Sequence, residues 1–154
     1  MYNINNSKER INNVLKLLKK NQNGKITDKD RELIKNEQKT FGFPQTGIVD
    51  FKTFEALRDK YYFEKLKRRF NDGVDYSALP LSFGSQGDTV GYINFLISNV
   101  LKNYTYEGRL PSGSFFGRDS VKAAVTLRKI FNMEKKEEFD DKLYIRIRLE
   151  LKNK

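Results

Sequence analysis

The chain offers few side chains that could carry out acid–base or nucleophilic chemistry. Its 154 residues include no histidine and no cysteine, which excludes serine–histidine triads, thiolate nucleophiles and disulfides. A carboxylate cluster is formed by Glu137, Glu138, Asp140 and Asp141. Paired carboxylates can hydrolyse glycosides, but acidic residues ahead of a helix serve more often as caps and partners of the helix dipole. We therefore expect a protein without catalytic residues.

A metal or cofactor site is not expected either. The stretch from Lys19 to Asp30 places Asn21, Asn23 and Gly24 at positions that resemble a calcium-binding loop. Lys19, however, stands where the first carboxylate ligand belongs. A polar turn between two helices explains the same residues.

A loop in the second half combines Tyr104, Tyr106 and Arg109. Tyrosine rings can stack on sugar faces while their hydroxyl groups form hydrogen bonds, and arginine can bind a carboxylate through two N–H groups. These three residues are candidate ligand contacts. The tyrosines could equally fold back onto their own helices, and both interpretations stay open.

The elements that would position these residues occur twice along the chain. In the first half, an apolar stripe at Ile11–Leu18 predicts one helix, Thr27 or Asp28 caps a second, and Asp50 caps a third. In the second half, the first helix begins at Asp88 or Thr89, the second at Ser120 and the third at Asp140. The sequence therefore predicts an all-α fold of two tandem three-helix bundles.

The two halves keep register in blocks. Gln38 aligns with Arg128 and Asp50 with Asp140, each 90 positions apart, whereas Ile11 aligns with Val90, 79 positions apart. The difference predicts a longer loop between the first two helices of the second half, within residues 102–117.

These alignments divide the chain into a first module at 1–70, a connector at 71–80 and a second module at 81–154. The stretch 61–80 is too apolar for a free linker, so we expect it to pack the modules together. Residues 144–151 alternate like a strand but also match a helix face. The repeat favours the helix.

The segment Glu32–Leu57 resembles the peptidoglycan-binding domain found beside bacterial wall hydrolases. That family has a glutamine near the end of its second helix, then a glycine and a T-G-x-x-D-x-x-T-x-x-x-L turn. The matching residues here are Gln38, Gly42, Phe43, Thr46, Gly47, Asp50, Thr53 and Leu57. Glu37 replaces the aromatic residue that usually precedes the glutamine.

The second half is similar to the same family in a more degenerate form. LSFGSQGDTVGYINFLI and FFGRDSVKAAVTLRKIFNM match its first two helices, through residues that include Gly84, Gly87, Gly117, Ser120 and Arg128. No T-G pair precedes Asp140. Gly and cap residues usually serve the backbone, so we interpret these motif residues as structural. Phe43 and Gln45, beside the first turn, are further candidate ligand contacts.

The resemblance implies a non-catalytic protein that binds peptidoglycan and targets an attached or associated hydrolase to the cell wall. It implies a location in the wall or outside the cell, although the polar N-terminus is not a secretory signal, and a fragment or a spore- or phage-derived protein would explain that. No segment is apolar enough to span a membrane. The net charge of +10 leaves nucleic-acid binding as the alternative.

Overall fold

The computed structural model describes residues 8–66 and 76–152 and is all-α over these ranges. Its helices are α1 (Lys8–Leu17), α2 (Asp28–Thr40), α3 (Phe51–Leu66), α4 (Asp88–Leu101), α5 (Arg118–Ile130) and α6 (Asp141–Lys152), with a short 3₁₀ helix at Tyr76–Ala78. Residues 144–151 thus lie in a helix, as the repeat predicted. Residues 67–75, which include the first half of the predicted connector 71–80, lie outside the described residues.

Polar side chains start the helices where the sequence predicted caps. The Thr27 hydroxyl accepts a hydrogen bond from the amide of Asp30, whose carboxylate accepts one from the amide of Thr27. This reciprocal pair satisfies amides that have no partner within α2. Asp50 accepts from the amide of Thr53 at the start of α3, at 2.8 Å. α4 begins at Asp88, as predicted, and Gly87 precedes it without a side-chain cap.

The second module contains most of the buried apolar residues. Val90, Ile93 and Ile97 of α4 pack with residues of α5 and α6 in one cluster, in which Tyr144 and Phe116 are fully buried. A smaller cluster in the first module is built on Val14, Ile34 and Val49. Burial of apolar area drives this packing, so the second module has the larger driving force.

The two modules pack against each other through the end of α2, α3 and α6. Phe41, Phe43 and Ala56 of the first module belong to the large cluster of the second. The Arg146 guanidinium lies over the ring of Phe131, at 4.4 Å from its centroid, and over Phe43, at 5.2 Å. The modules therefore share one core.

Charged groups are also buried between α3 and α6. The Glu55 carboxylate, whose side chain is 3% exposed, lies 2.7 Å from Lys152 Nζ and 3.6 Å from Arg58 Nη2. Burial raises the pKa of the nearby Asp59 carboxyl, against the opposing effect of Arg148 and other cations. The contact between the modules thus includes buried charged groups as well as apolar side chains.

Backbone hydrogen bonds at the end of α2 recur at the end of α5. Phe43 N donates to Gln38 O at 2.8 Å, and Met133 N donates to Arg128 O at 2.8 Å. The residue before each is left-handed, with φ of 76° at Gly42 and 58° at Asn132. These pairs keep the predicted separation of 90 positions. They support the tandem repeat, which stays a prediction for the bundles as a whole.

An asparagine of each first helix bonds to the loop ahead of the next helix. Asn12 Oδ1 accepts from Gly24 N at 2.7 Å, and Asn94 Nδ2 donates to the carbonyl groups of Gly113 and Phe115. The two asparagines are 82 positions apart. The alignment of Ile11 with Val90, which are 79 positions apart, stays a prediction.

None of the helices within residues 8–66 and 76–152 is both long and apolar enough to cross a membrane.

Candidate functional site

Gln38 is a buried hub of the first module. Its amide nitrogen donates to Ile48 O at 2.9 Å and to the Thr53 hydroxyl at 3.2 Å, and its amide oxygen accepts from Gly47 N at 3.0 Å. Gly47 has a φ of 74°, a backbone conformation that favours glycine. Gln38, Gly47, Asp50 and Thr53 therefore hold the turn that leads into α3, and Gln38 and Thr53 are too buried to contact a ligand.

Arg128 has the corresponding position in the second module. Its guanidinium donates to Glu138 O at 3.0 Å and to Glu134 O at 3.4 Å, and forms an ion pair with Asp140 at 3.0 Å. Asp140 also accepts from Leu143 N at the start of α6. The carboxylate cluster found in the sequence is therefore partly used as a cap and an ion pair. Among the described residues, no group of acidic side chains could hold a metal ion.

The motif glycines shape the backbone at several turns. A side chain at Gly42 would collide with the carbonyl oxygen of Phe131, 1.6 Å from an added Cβ, so Gly42 permits the close approach of the two modules. Gly84 and Gly87 adopt φ of 97° and 123° next to open space. Gly117 precedes α5, and its amide donates to the Ser120 hydroxyl.

A groove lies where the end of α2 meets the corner between α5 and α6. It encloses about 630 Å³. Both modules contribute to its lining, which consists of Asn36, Lys39, Thr40, Arg128, Asn132, Met133, Glu134, Lys136, Asp140 and Lys142. We refer to it as the junction groove.

The junction groove carries more positive than negative side chains. Its four cations face two carboxylates, and two ion pairs join Arg128 to Asp140 and Lys136 to Glu134. Lys39 lies in the last turn of α2, where its charge also offsets the partial negative charge of the helix end. The groove therefore favours a ligand with an acidic group.

A second pocket of about 270 Å³ continues from the junction groove. Its lining includes Phe43, Pro44 and Gln45, and it shares Lys39 and Asn132 with the larger groove. Gln45 is exposed, whereas Phe43 is only 8% exposed and packs against Lys52 and Arg146. The structure thus brings the predicted contacts Phe43 and Gln45 to one end of the groove.

The predicted contacts of the long loop lie elsewhere. Tyr104 and Tyr106 are half-buried and pack against the second core, whereas Arg109 is exposed. The Tyr106 hydroxyl is buried and has no hydrogen-bond partner within the described part of the chain. Burial raises the pKa of this hydroxyl, and the charge of Asp119 raises it further. The role of both tyrosines in binding stays a prediction.

Two groups of surface residues were not predicted from the sequence. Lys39, Asn132, Lys136 and Lys142 line the junction groove, but they are ordinary polar residues on separate elements, and only the packing of the modules brings them together. Phe83 and Phe115 are exposed by 62% and 46%. Both lie inside the segments LSFGSQGDTVGYINFLI and FFGRDSVKAAVTLRKIFNM, and neither was among the predicted ligand contacts.

No family model matches the chain, and no curated protein or solved structure matches it either.

Proposed function

We propose that this protein binds bacterial peptidoglycan without cleaving it, and that the junction groove holds part of the polymer. The observation that carries the proposal is a groove to which both modules contribute, with amide, hydroxyl and cationic side chains along one continuous surface. Peptidoglycan offers complementary groups: sugar hydroxyls, peptide amides and free carboxylates.

The resemblance of Glu32–Leu57 to wall-binding domains supports this assignment. Hydrogen bonds connect four of the motif residues in one turn, namely Gln38, Gly47, Asp50 and Thr53. The motif residues therefore have a structural role in this chain. Binding by such a protein would concentrate an attached or associated hydrolase on its substrate, in the wall or outside the cell. A single groove to which both modules contribute would bind the polymer without avidity between two separate sites.

Cosedimentation with purified sacculi tests the proposal. The test variant is Lys39→Ala combined with Lys136→Ala, and the matched control is Lys25→Ala combined with Lys29→Ala. Both variants remove two positive charges, but Lys29 lies ten residues before Lys39 on the same helix, about 15 Å away. We expect the groove variant to bind roughly tenfold more weakly, the control to bind normally, and both to keep the wild-type melting temperature.

The outcomes separate the function from its location. Failure of the wild-type protein to sediment with sacculi would show that the function is wrong. Equal binding by the two variants would move the site away from the groove. Tighter retention on DNA-cellulose than on sacculi, lost steeply with salt, would favour the nucleic-acid alternative.

A further inference from the structure

One face of the second module is almost without charge. Between Ser77 and Leu101 the only ionisable acidic or basic side chain is that of Asp88, and Leu110–Gly117 contains none. In the chain as a whole, 32% of the residues are charged. A surface built from these two segments therefore differs in composition from the rest of the protein.

The backbone brings the two segments side by side. Gly84 N donates to Phe116 O at 2.9 Å, Phe116 N donates to Ser85 O at 2.8 Å, and Gly87 N donates to Ser114 O at 3.0 Å. Asn94 fixes the same loop from α4 through its bonds to the carbonyl groups of Gly113 and Phe115. Side chains on this scaffold are held in place before any ligand binds.

Three phenylalanines stand on this scaffold and remain exposed. Phe83 is 62% exposed and Phe115 is 46% exposed, and their rings meet edge to face with centroids 5.9 Å apart. Phe95, which is 59% exposed, lies one helical turn after Gly91. Because Gly91 faces Ser114, α4 presents Phe95 on the side of the 110–117 loop.

We propose that this face, here named the phenylalanine surface (Phe83, Phe95 and Phe115), binds uncharged sugar rings of a glycan strand. The proposal rests on the proposed function and specifies which part of the wall polymer this face contacts. Exposed apolar groups held on a rigid support mark interaction sites in soluble proteins.

The surroundings of the rings favour a glycan over other occupants. Exposed hydroxyl and amide groups accompany the rings, from Ser82, Gln86, Ser112 and Ser114. A sugar presents a C–H face that can pack on an aromatic ring and hydroxyl groups that can bond to such a rim. The edge-to-face pair forms a corner in which one ring can support a sugar face while the other borders it. Neither segment contains a lysine or an arginine, which argues against an acidic ligand here, in contrast to the junction groove.

The test uses a soluble tetramer of β-1,4-linked N-acetylglucosamine, which carries no charge. Its binding to the full chain is measured by calorimetry and by NMR shifts, for the wild type, Phe83→Ser, Phe115→Ser and the control Phe51→Ser. Phe51 is 53% exposed and belongs to the first module, so the control removes a comparable exposed ring. Phe83→Ser is the variant least expected to disturb folding, because its ring is the most exposed.

We expect each of the two surface variants to bind the tetramer at least tenfold more weakly and Phe51→Ser to bind like the wild type. Binding should also change little between about 0.05 M and about 0.5 M salt, because the surface has almost no charge to screen. Normal tetramer binding by Phe83→Ser and Phe115→Ser would overturn the proposal. So would self-association of the wild type that both variants abolish, because a second copy would then cover the surface.

These results can be distinguished from failure of the proposed function. If the wild type binds the tetramer but not sacculi, the phenylalanine surface is a glycan site and the wall assignment is wrong. If the wild type binds sacculi and does not bind the tetramer, the wall assignment stands and the phenylalanine surface has another role.

Discussion

Gln38 and Arg128 occupy corresponding positions and stabilise their turns by different means. Each is 2% exposed, and each donates to the carbonyl group of the residue ten positions later, Ile48 or Glu138. Gln38 can also accept a hydrogen bond, and it does so from Gly47 N. Arg128 has no acceptor, and instead it pairs with the Asp140 carboxylate.

This difference explains why the second module lacks the Thr-Gly pair of the first. A glutamine at the hub requires a donor at its amide oxygen, and Gly47 supplies one from a left-handed turn. An arginine needs acceptors only, so the corresponding turn has no need for a glycine. The cost is a buried charge, which is tolerated only while its partner remains.

The largest predicted effect follows from that buried charge. Arg128→Ala would leave the Asp140 carboxylate, 15% exposed, and two carbonyl groups without their partner. We expect a loss of about 3–5 kcal/mol in the free energy of unfolding. Gln38→Ala should cost about 1–3 kcal/mol, because it leaves neutral groups without hydrogen bonds.

Urea unfolding at neutral pH measures both values. Lys129→Ala is the matched control, since Lys129 is the exposed neighbour of Arg128 and its removal should change stability little. Equal losses for Gln38→Ala and Arg128→Ala would mean that the charge adds nothing to the second hub.

The caps of α3 and α6 give the next prediction. Asp50 accepts from Thr53 N, and its replacement by Ala should cost about 0.5–2 kcal/mol. Asp140 caps α6 in the same way and also pairs with Arg128. Asp140→Ala should therefore cost more than Asp50→Ala, about 3 kcal/mol, because it removes an ion pair as well as a cap. Arg128 would still donate to the carbonyl groups of Glu134 and Glu138, so its charge would not be left without any partner.

Thermal unfolding of the two variants side by side checks this difference. In the Asp140→Ala background, Arg128→Ala should cost less than in the wild-type protein, because the two changes share one ion pair. Fully additive losses would contradict the pairing. Asp50 lines neither the junction groove nor its extension, so Asp50→Ala should bind sacculi normally while it is folded.

The sequence predicted much of the fold because helix periods and caps are local signals. Thr27, Asp50 and Asp140 precede the second or third helix of their module, and a helix needs such partners at its first amides. The register of the first helices was harder to infer. Two apolar stripes three residues apart fit a helix almost equally well, so the alignment of Ile11 with Val90 stays a prediction.

The candidate surfaces were less predictable because they depend on tertiary packing. Lys39 and Lys136 are far apart in sequence. They line the same groove because Gly42 allows the end of α2 to approach Phe131. Phe83 and Phe115 were not among the predicted contacts, since a sequence pattern does not specify which aromatic residue faces solvent. The tyrosines of the long loop showed the opposite difficulty, because half-buried rings were read as possible ligand contacts.

The loops between the first two helices of each module also differ in their hydrogen bonds. Gly24 of the first loop is tied to Asn12 by a 2.7 Å hydrogen bond. The longer second loop buries the Tyr106 hydroxyl, which has no hydrogen-bond partner within residues 8–66 and 76–152. A buried hydroxyl without a hydrogen bond destabilises the folded state. Tyr106→Phe keeps the ring against the core and removes only that group. We expect it to raise the free energy of unfolding by about 1 kcal/mol.

The gain in stability from Tyr106→Phe should grow as the pH rises. Burial raises the pKa of the Tyr106 hydroxyl above its ordinary value of 10.0, so the folded state keeps this proton more strongly than the unfolded state. Wild-type stability is therefore lost as pH rises from the unfolded pKa through the folded one, and the phenylalanine variant escapes that part of the loss. Urea unfolding at neutral pH and above pH 10 measures the difference. A gain that shrinks at high pH, or a Tyr106→Phe variant less stable than the wild type at neutral pH, would show that the hydroxyl has a partner and that the ring is not a simple packing group.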